Sequence, residues 1–542
     1  MEKNIRNCIL FCFLILLSFL LNAQYIKKWE IRKPTNRPYT YSYNVNVTKL
    51  LKTLRLRDGS FVTLGNRRIE NAEYGDEILL YNYDSLGAII WEYVYESTKG
   101  INDFPYDMVI DSDDNIYIVG KSATYLELDF EYNKEYSNVL LLKLNCKGDL
   151  VWQNQVENDG KTVDYCASVV VDSTYNIYAL CKINKLLRLQ KYNVNGAKLW
   201  DIILGNDMPI GLGIKGGKIR CITNSYIKNP TVFSVSTNGD ILDSFSIIKW
   251  TWLKPKFDAE DNIYQFHLSG EYKLVKLDTM GNLIWTYLKQ SNLPLNVIAD
   301  FINDCTFDED GNVYITGDYF GKFYGDSLRY SSCDILTTKL DRNGEIIWED
   351  IYNFDNSPNT CQSANVIKYS QEGNLIVGGF QAVEKDGNTF FSTNIVVLIY
   401  NAEGRRIENI YYNSIYDRED YVSNINQVGD DLYMFGYSQN DEGLFDMIIV
   451  KYEKQSAKTL DKTENDLIGI YPNPTMGQVQ FCCSDERYDL KLLGLDGKLV
   501  LEYKDFALNE TLELPESTPV GFYVIELSSG RAVVKFKIFK NN

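Results

Sequence analysis

The chain has 542 residues, with 73 Asp and Glu against 55 Lys and Arg for a formal net charge of −18. It lacks any run of clustered basic residues, which argues against nucleic acid as a partner because phosphate binding needs grouped Lys and Arg. Hydrophobic residues make up 45% of it, ample for a core, and its one histidine, His267, would have to serve any Ser-His-Asp or Cys-His catalytic system.

Residues 1–23 read as a secretory signal peptide: Lys3 and Arg6 form a charged start, residues 9–21 an apolar core, and Asn22-Ala23-Gln24 supplies a small residue for cleavage. The apolar run is short for a transmembrane span. A mature chain beginning near Gln24, with no membrane span, is expected.

Residues 25–31 then read as a lone strand containing Trp29, and after them a repeat begins. Each unit holds two hairpins. In the second unit, Met108 and Ile110, then Ile116 and Ile118, alternate with polar residues on either side of an Asp/Asn turn, the period-2 pattern of strands around a tight turn. First-hairpin turns recur at Asp58-Gly59, Asp111 to Asn115, Asp172 to Asn176, Gly216-Gly217, Asp258 to Asn262, Asp308 to Asn312, Gln371 to Asn374 and Gly429 to Asp431. Second-hairpin turns end at Gly87, Gly148, Gly196, Gly239, Gly281, Gly344 and Gly404, and five are followed at one fixed offset by Trp91, Trp152, Trp200, Trp285 and Trp348, with Asp243 and Glu408 at the other two.

First hairpins therefore number eight and complete second hairpins seven. The eighth unit ends after Met447 to Tyr452 without a fourth strand, and residues 25–31 are the spare one. The fold expected is all-β: an eight-bladed β-propeller over residues 24–453, closed by pairing of N-terminal and C-terminal strands. The repeated tryptophans are expected to pack between blades, since a ligand site breaks repeat symmetry. The 40 Tyr and 25 Phe fit strand propensity before they suggest a sugar-stacking surface.

The Asp-rich turns (Asp111, Asp113, Asp114; Asp258, Glu260, Asp261; Asp308, Glu309, Asp310) could suggest calcium, but each offers few carboxylates, and Asp and Asn at such places cap their own turns. Nine cysteines remain once Cys8 and Cys12 leave with the signal. Their odd number and scatter predict buried thiols rather than a disulfide framework, with Cys166 and Cys181 the best-placed pair. Long insertions at residues 121–138, 318–332 and 381–392 each join second to third strands. They are expected to be loops gathered on one face, where recognition is usual. No catalytic, cofactor-binding or metal-ligating residue can be assigned.

Residues 454–466 read as a polar linker, and residues 467–542 as a small Ig-like β-sandwich. This tail carries Tyr471-Pro472-Asn473-Pro474-Thr475 with Gly477, then Asp496-Gly497-Lys498, then Gly521-Phe522-Tyr523, and a basic ending from Lys535 to Lys540. The series resembles the type A C-terminal sorting domain of the type IX secretion system of Bacteroidetes. The resemblance implies passage through the periplasm, recognition of the tail by the type IX machinery, and delivery to the cell surface or medium. Pro472, Asn473, Pro474, Gly477, Gly497, Lys498, Gly521, Tyr523, Lys535 and Lys540 are the sorting-motif residues it implies. The repeats resemble, less specifically, SBBP-type secreted propeller repeats through Asp308 to Gly317. The same phylum implies O-glycan acceptors at Asp84-Ser85-Leu86, Asp278-Thr279-Met280 and Asp326-Ser327-Leu328.

The function expected is an exported propeller acting as a binding or scaffold module for an unknown protein or glycan ligand. The alternatives are a secreted enzyme degrading polysaccharide or protein with carboxylates on the propeller face, and a structural envelope component.

Overall fold

The computed structural model describes residues 25–38, 52–68, 75–97, 102–127, 134–156, 161–225, 229–247, 255–267, 272–289, 301–319, 333–353, 361–385, 388–454, 469–471, 478–482, 487–494, 498–507, 511–515, 517–519, 521–529 and 532–540. The expected signal peptide, residues 455–466 of the linker, and Asp326 to Leu328 lie outside them. All regular structure among the described residues is β-strand. The chain divides into two compact units, Met1–Ser456 and Ala457–Asn542.

The first unit contains eight four-stranded antiparallel sheets among its described residues. Sheet one is Lys52–Arg55, Phe61–Arg68, Asp76–Tyr83 and Ile89–Tyr95. Sheets two to seven follow at residues 103–156, 165–205, 208–246, 256–289, 301–352 and 362–412. Sheet eight takes three strands from Asp420–Val428, Asp431–Gln439 and Leu444–Lys454, and its fourth from the other end of the unit, Tyr25–Pro38. The expected N-terminal strand is there, longer than residues 25–31, with Tyr25 opposite Lys454, Trp29 opposite Lys451 and Pro38 opposite Leu444.

Burial follows the sequence pattern. Continuous apolar runs make second and third strands that are covered on both faces, such as Asp76–Tyr83 and Ile177–Ile183. Fourth strands alternate between exposed and half-buried residues, as outer edges do. First strands of successive sheets lie against one another, so they form the inner side of the array. The core is a series of clusters, each shared by two neighbouring sheets. Met108, Leu140 and Leu142 of sheet two meet Val62 and Leu80 of sheet one, and Phe61 and Tyr83 of sheet one meet Tyr433, Phe435 and Ile449 of sheet eight.

Six of the eight inner strands carry a β-bulge among the described residues. The ladder slips between Pro105 and Asp107, Cys166 and Ser168, Pro209 and Gly211, Ile302 and Asp304, Ala364 and Val366, and Val422 and Asn424. A bulge bends its strand and brings the partner backbone close. That approach explains the glycine within the second strand: a Cβ on Gly120 would stand 2.0 Å from the Phe104 carbonyl oxygen, and Gly317, Gly379 and Gly436 face the same obstruction.

Two expectations need correction. Cys333 and Cys361 are joined by a disulfide with Cα atoms 4.5 Å apart. The main chains of sheets six and seven bridge at these two residues, which brings thiols from different repeats together. Cys166, Cys181, Cys221 and Cys305 are free and buried as expected, and Cys146 is free but exposed. Cys166 and Cys181 oppose each other in register, with sulfurs 2.7 Å apart. The second correction concerns the insertions. Those at residues 121–138 and 381–392 are largely hairpin rather than loop, because the ladder between second and third strands runs on to Glu127–Lys134 and Lys385–Asn388. Residues 320–332 lie outside the described ones.

The second unit is a sandwich of a three-stranded and a four-stranded sheet. Val479 and Leu512 from one sheet share a core with Leu490, Leu492, Phe506, Tyr523, Ile525 and Leu527 from the other.

Candidate functional sites

Three arrangements of side chains recur or converge: the turn columns, the inner polar belt and one corner of the tail.

In the first, each Asp-turn carboxylate serves its own hairpin. Asp111 Oδ1 accepts the backbone N–H groups of Asp113 and Asn115, both at 2.9 Å, while Oδ2 accepts the Asn115 amide and the Tyr117 hydroxyl, also at 2.9 Å. Asp172 with Tyr178, Asp258 with Tyr264 and Asp308 with Tyr314 repeat the scheme. A third-strand lysine covers each ring: Lys143, Lys191, Lys276 and Lys339 stand 4.9 to 5.2 Å from the ring centres. Burial alone would push the Asp172 carboxyl up, but bonds from Thr174, Asn176 and Tyr178 hold it down at about 2. Turn capping thus accounts for these acids. Among the described residues no group of three or more His, Cys, Asp and Glu is arranged to hold a metal ion.

The tryptophans stand beside these columns and reach the next sheet. Trp91, Trp152, Trp200 and Trp285 donate their indole N–H to carbonyls of Cys146, Val194, Thr237 and Arg342, at 2.9 to 3.3 Å. Each ring lies over the turn glycine there, so a Cβ on Gly148 would meet Trp91 Cδ2 at 2.6 Å. Where Asp243 replaces tryptophan, Phe245 covers Gly281 instead. Two residues along a strand restore the same face, a substitution the fixed offset had hidden. Glu408, at the other departure, accepts the backbone N–H of Tyr25 and is pushed up by burial.

The second arrangement runs along the inner strands. Asp107 accepts Lys52 Nζ at 2.8 Å from sheet one, and the Ser168 hydroxyl at 2.9 Å and Val169 N–H at 3.2 Å from sheet three. Ser168 Oγ in turn accepts Leu212 N–H from sheet four at 3.1 Å. Asp304 repeats the role, taking Lys256 from sheet five and Ile367 N–H, at 3.1 Å, from sheet seven. Sequence reasoning missed this belt, because its members occupy different repeats and no local motif joins them. The side chain of His267 is not among those described.

A related network pins the N-terminal strand. Arg32 donates to Glu30 at 2.7 Å, to Asp446 at 3.4 Å, to Ser438 at 2.8 Å and to the Tyr412 hydroxyl at 3.1 Å. Nearby Asp420 is buried, which pushes its carboxyl up to about 6 against bonds from Ser438 and Ser414.

In the tail, some expected sorting residues come together and others lie elsewhere. Gly521 opposes Lys540 across the last hairpin. The Tyr523 hydroxyl donates to Pro519 O at 2.7 Å, and Lys540 Nζ donates to Thr518 O. These bonds tie residues 517–519 to both strands, the way a tyrosine fixes a sandwich corner. Lys498 is exposed, and its carbonyl accepts Gly494 N–H at 2.8 Å. Lys535 lies opposite Glu526 in the last hairpin. Pro472, Asn473, Pro474, Gly477 and Gly497 lie outside the described residues. For the glycan triplets, Ser85 is exposed and Thr279 half-buried, both in second-hairpin turns.

Residues 469–541 match the family model described as a secretion system C-terminal sorting domain. No curated protein matches the chain by sequence. Among solved structures, the chain is similar to the Dos1 propeller, at 10% identity and a TM-score of 0.46 over 79% of this chain and 95% of that one. It is similar also to the C-terminal WD40 domain of Sif2, at 11% identity and a TM-score of 0.42 over 75% and 98%. A third is a protein of unknown function from Bacteroides caccae, at 12% identity and a TM-score of 0.29 over 51% and 90%. The tail is a sorting domain of the type IX system, and it directs the chain out of the cell, secreted or held at the surface of the outer membrane.

Proposed function

We propose that this protein is an exported binding module: a closed ring of eight four-stranded blades carried to the cell exterior by its C-terminal sandwich. The observation that carries the reading is the sorting domain at residues 469–541, since a chain with that tail works outside the cell. Two features support the ring. The strand Tyr25–Pro38 completes sheet eight, and Trp29 of that strand lies over Gly87 of sheet one, as each tryptophan lies over the glycine of the next sheet. Binding is preferred to catalysis because turn acids and belt acids alike are engaged in holding the scaffold. The corner formed by Thr518, Pro519, Gly521, Tyr523 and Lys540 is the part of the tail that we assign to recognition by the export machinery.

Removing residues 467–542 should leave the ring folded and held in the periplasm of a host with the type IX machinery. The reciprocal fusion, a signal peptide and residues 454–542 on an unrelated reporter, should carry that reporter to the surface or medium. Cell fractionation reads both. A tail-less protein that still reaches the surface would overturn the assignment.

A further inference from the structure

First-hairpin turns of neighbouring sheets touch at several junctions. The Arg57 N–H of sheet one donates to the Asp114 carboxylate of sheet two at 3.2 Å. The Ser112 hydroxyl of sheet two donates to the Tyr175 hydroxyl of sheet three at 3.0 Å, and Lys215 of sheet four donates to the Ala259 carbonyl of sheet five. Between sheets three and four the contact is missing: among the described residues no hydrogen bond joins residues 172–176 to residues 215–218. A cleft of about 410 Å³ lies there instead, within the ~300–1,000 Å³ typical of small-molecule sites.

The sequence of sheet four explains the gap. In sheet three Val171 pairs with Ile177 around the turn from Asp172 to Asn176. In sheet four Ile214 pairs with Ile219 around a turn one residue shorter, and its tip is Gly216-Gly217. A Cβ on either glycine would meet nothing within 4 Å. Sheet four also lacks the tyrosine and lysine of the turn column: Arg220 opposite Ser234 stands where Tyr178 opposite Lys191 stands in sheet three. Arg220 donates away from the cleft, to Asp261 of sheet five at 3.3 Å. The repeat is thus broken at this junction, and a break in the repeat is where a ligand site belongs.

The charged groups beside the cleft are already engaged. Asp172 Oδ1 accepts Thr174 N–H at 2.8 Å, the Thr174 hydroxyl at 2.7 Å and Asn176 N–H at 2.9 Å, while Oδ2 accepts the Asn176 amide at 3.0 Å and the Tyr178 hydroxyl at 2.9 Å. Lys215 is held by Ala259, and the Thr237 carbonyl takes Lys191 at 2.9 Å and Trp200 at 3.3 Å. Neutral groups remain. Among the described residues the hydroxyls of Ser173 and Thr237 and the N–H groups of Gly216 and Gly217 make no hydrogen bond, and Val171 and Ile214 add aliphatic surface to the same cleft. Neutral donors and acceptors around an aliphatic patch suit a molecule with hydroxyls on a ring of C–H groups, whereas an ion would have to displace one of the existing bonds.

We propose that the cleft between sheets three and four binds a neutral sugar unit, its ring against Val171 and Ile214 and its hydroxyls bonded to Ser173, Thr237 and the Gly216-Gly217 turn. This deepens the binding-module reading above and rests on it.

The test uses the purified full chain and saturation-transfer NMR. The probes are the methyl glycosides of glucose, galactose, mannose and N-acetylglucosamine, with sodium glucuronate and glucosamine hydrochloride as charged comparators. Each is titrated into the wild type, into Ser173→Trp, which fills the cleft from an exposed position, and into Glu309→Trp, the same turn position in sheet six. Saturable binding of at least one neutral glycoside is expected, weakened about tenfold or more in Ser173→Trp and kept in Glu309→Trp. Should Ser173→Trp fail to fold, Ser173→Ala with Thr237→Ala decides, with weakening of about fivefold or more expected for the loss of two neutral hydrogen bonds. No binding of any neutral glycoside, equal binding by wild type and Ser173→Trp, or tighter binding of a charged comparator overturns the site. Failure of the binding-module reading shows itself differently, as conversion of a methyl glycoside to free sugar over time, and the effect of Ser173→Trp on binding still decides the cleft.

Discussion

The indole of Trp29 lies over Gly87, so close that a Cβ there would stand 3.0 Å from Trp29 Cδ2. One residue belongs to the strand that completes the last sheet and the other to a turn of the first, so this contact joins the two ends of the series. Deleting residues 25–38 should leave Leu444–Lys454 as an unpaired edge and uncover Phe61 and Tyr433. We expect a lower melting temperature in calorimetry and aggregation in light scattering. Unchanged melting would sink the idea.

The same contact can be tested from both sides elsewhere. Trp285 covers Gly344, with a Cβ placed 2.7 Å from its Cδ2 and a glycine φ of +87°. Trp285→Ala should cost about 3 kcal/mol, the low end for tryptophan truncation because the ring is half-buried. Gly344→Ala should cost at least about 1–2 kcal/mol from the left-handed backbone alone, and more from displacing the ring. The double variant should be less destabilised than the sum, since the ring is already gone. Strict additivity in urea melts would show that the two residues do not act on each other.

Asp420 gives a pH dependence with a definite sign. Its folded pKa, about 6, lies above the ordinary carboxyl value of 3.8. Between those values the folded state keeps a proton that the unfolded state releases, so stability falls as pH rises through the window. The deficit, absent at lower pH and complete above the window, is about 3 kcal/mol for a two-unit shift. Asp420→Asn should therefore be more stable than wild type near pH 8, with the advantage vanishing near pH 4. Asparagine retains an acceptor for the Ser414 N–H, which Asp420 now takes at 2.8 Å. An advantage of equal size at both pH values would rule out titration of this group as its cause.

The disulfide predicts a redox dependence confined to two sheets. Its partners are 28 residues apart in sequence, and a closed loop of that size stabilises by about 3–4 kcal/mol in the chain-entropy view. Cys333→Ser with Cys361→Ser should lower stability by that order, and dithiothreitol should lower only the wild type. A wild type insensitive to reductant while its thiols are shown to be free would contradict the estimate.

Much of this is legible in the sequence itself. The offset from turn glycine to tryptophan is local and repeated, so seven turns and the spare strand at Trp29 fall into one alignment. Phe245 escaped because it restores the packing face two positions late. Cys333 and Cys361 escaped because their meeting depends on how sheet six abuts sheet seven, a nonlocal fact that spacing does not encode. In the tail, Tyr523 and Lys540 were legible from their motif, while their tie to the 518–519 corner was not.

The pairing of Tyr25–Pro38 with Leu444–Lys454 also orders events during biosynthesis. The strand made first must wait, as an open edge, for one that emerges more than four hundred residues later, and the sorting domain follows that late strand at residue 469. A polypeptide interrupted anywhere before Leu444 is thus defective twice over: its seam stays open and it carries no export address. Export directed by the tail is thus open only to chains whose synthesis has passed the strand that completes sheet eight.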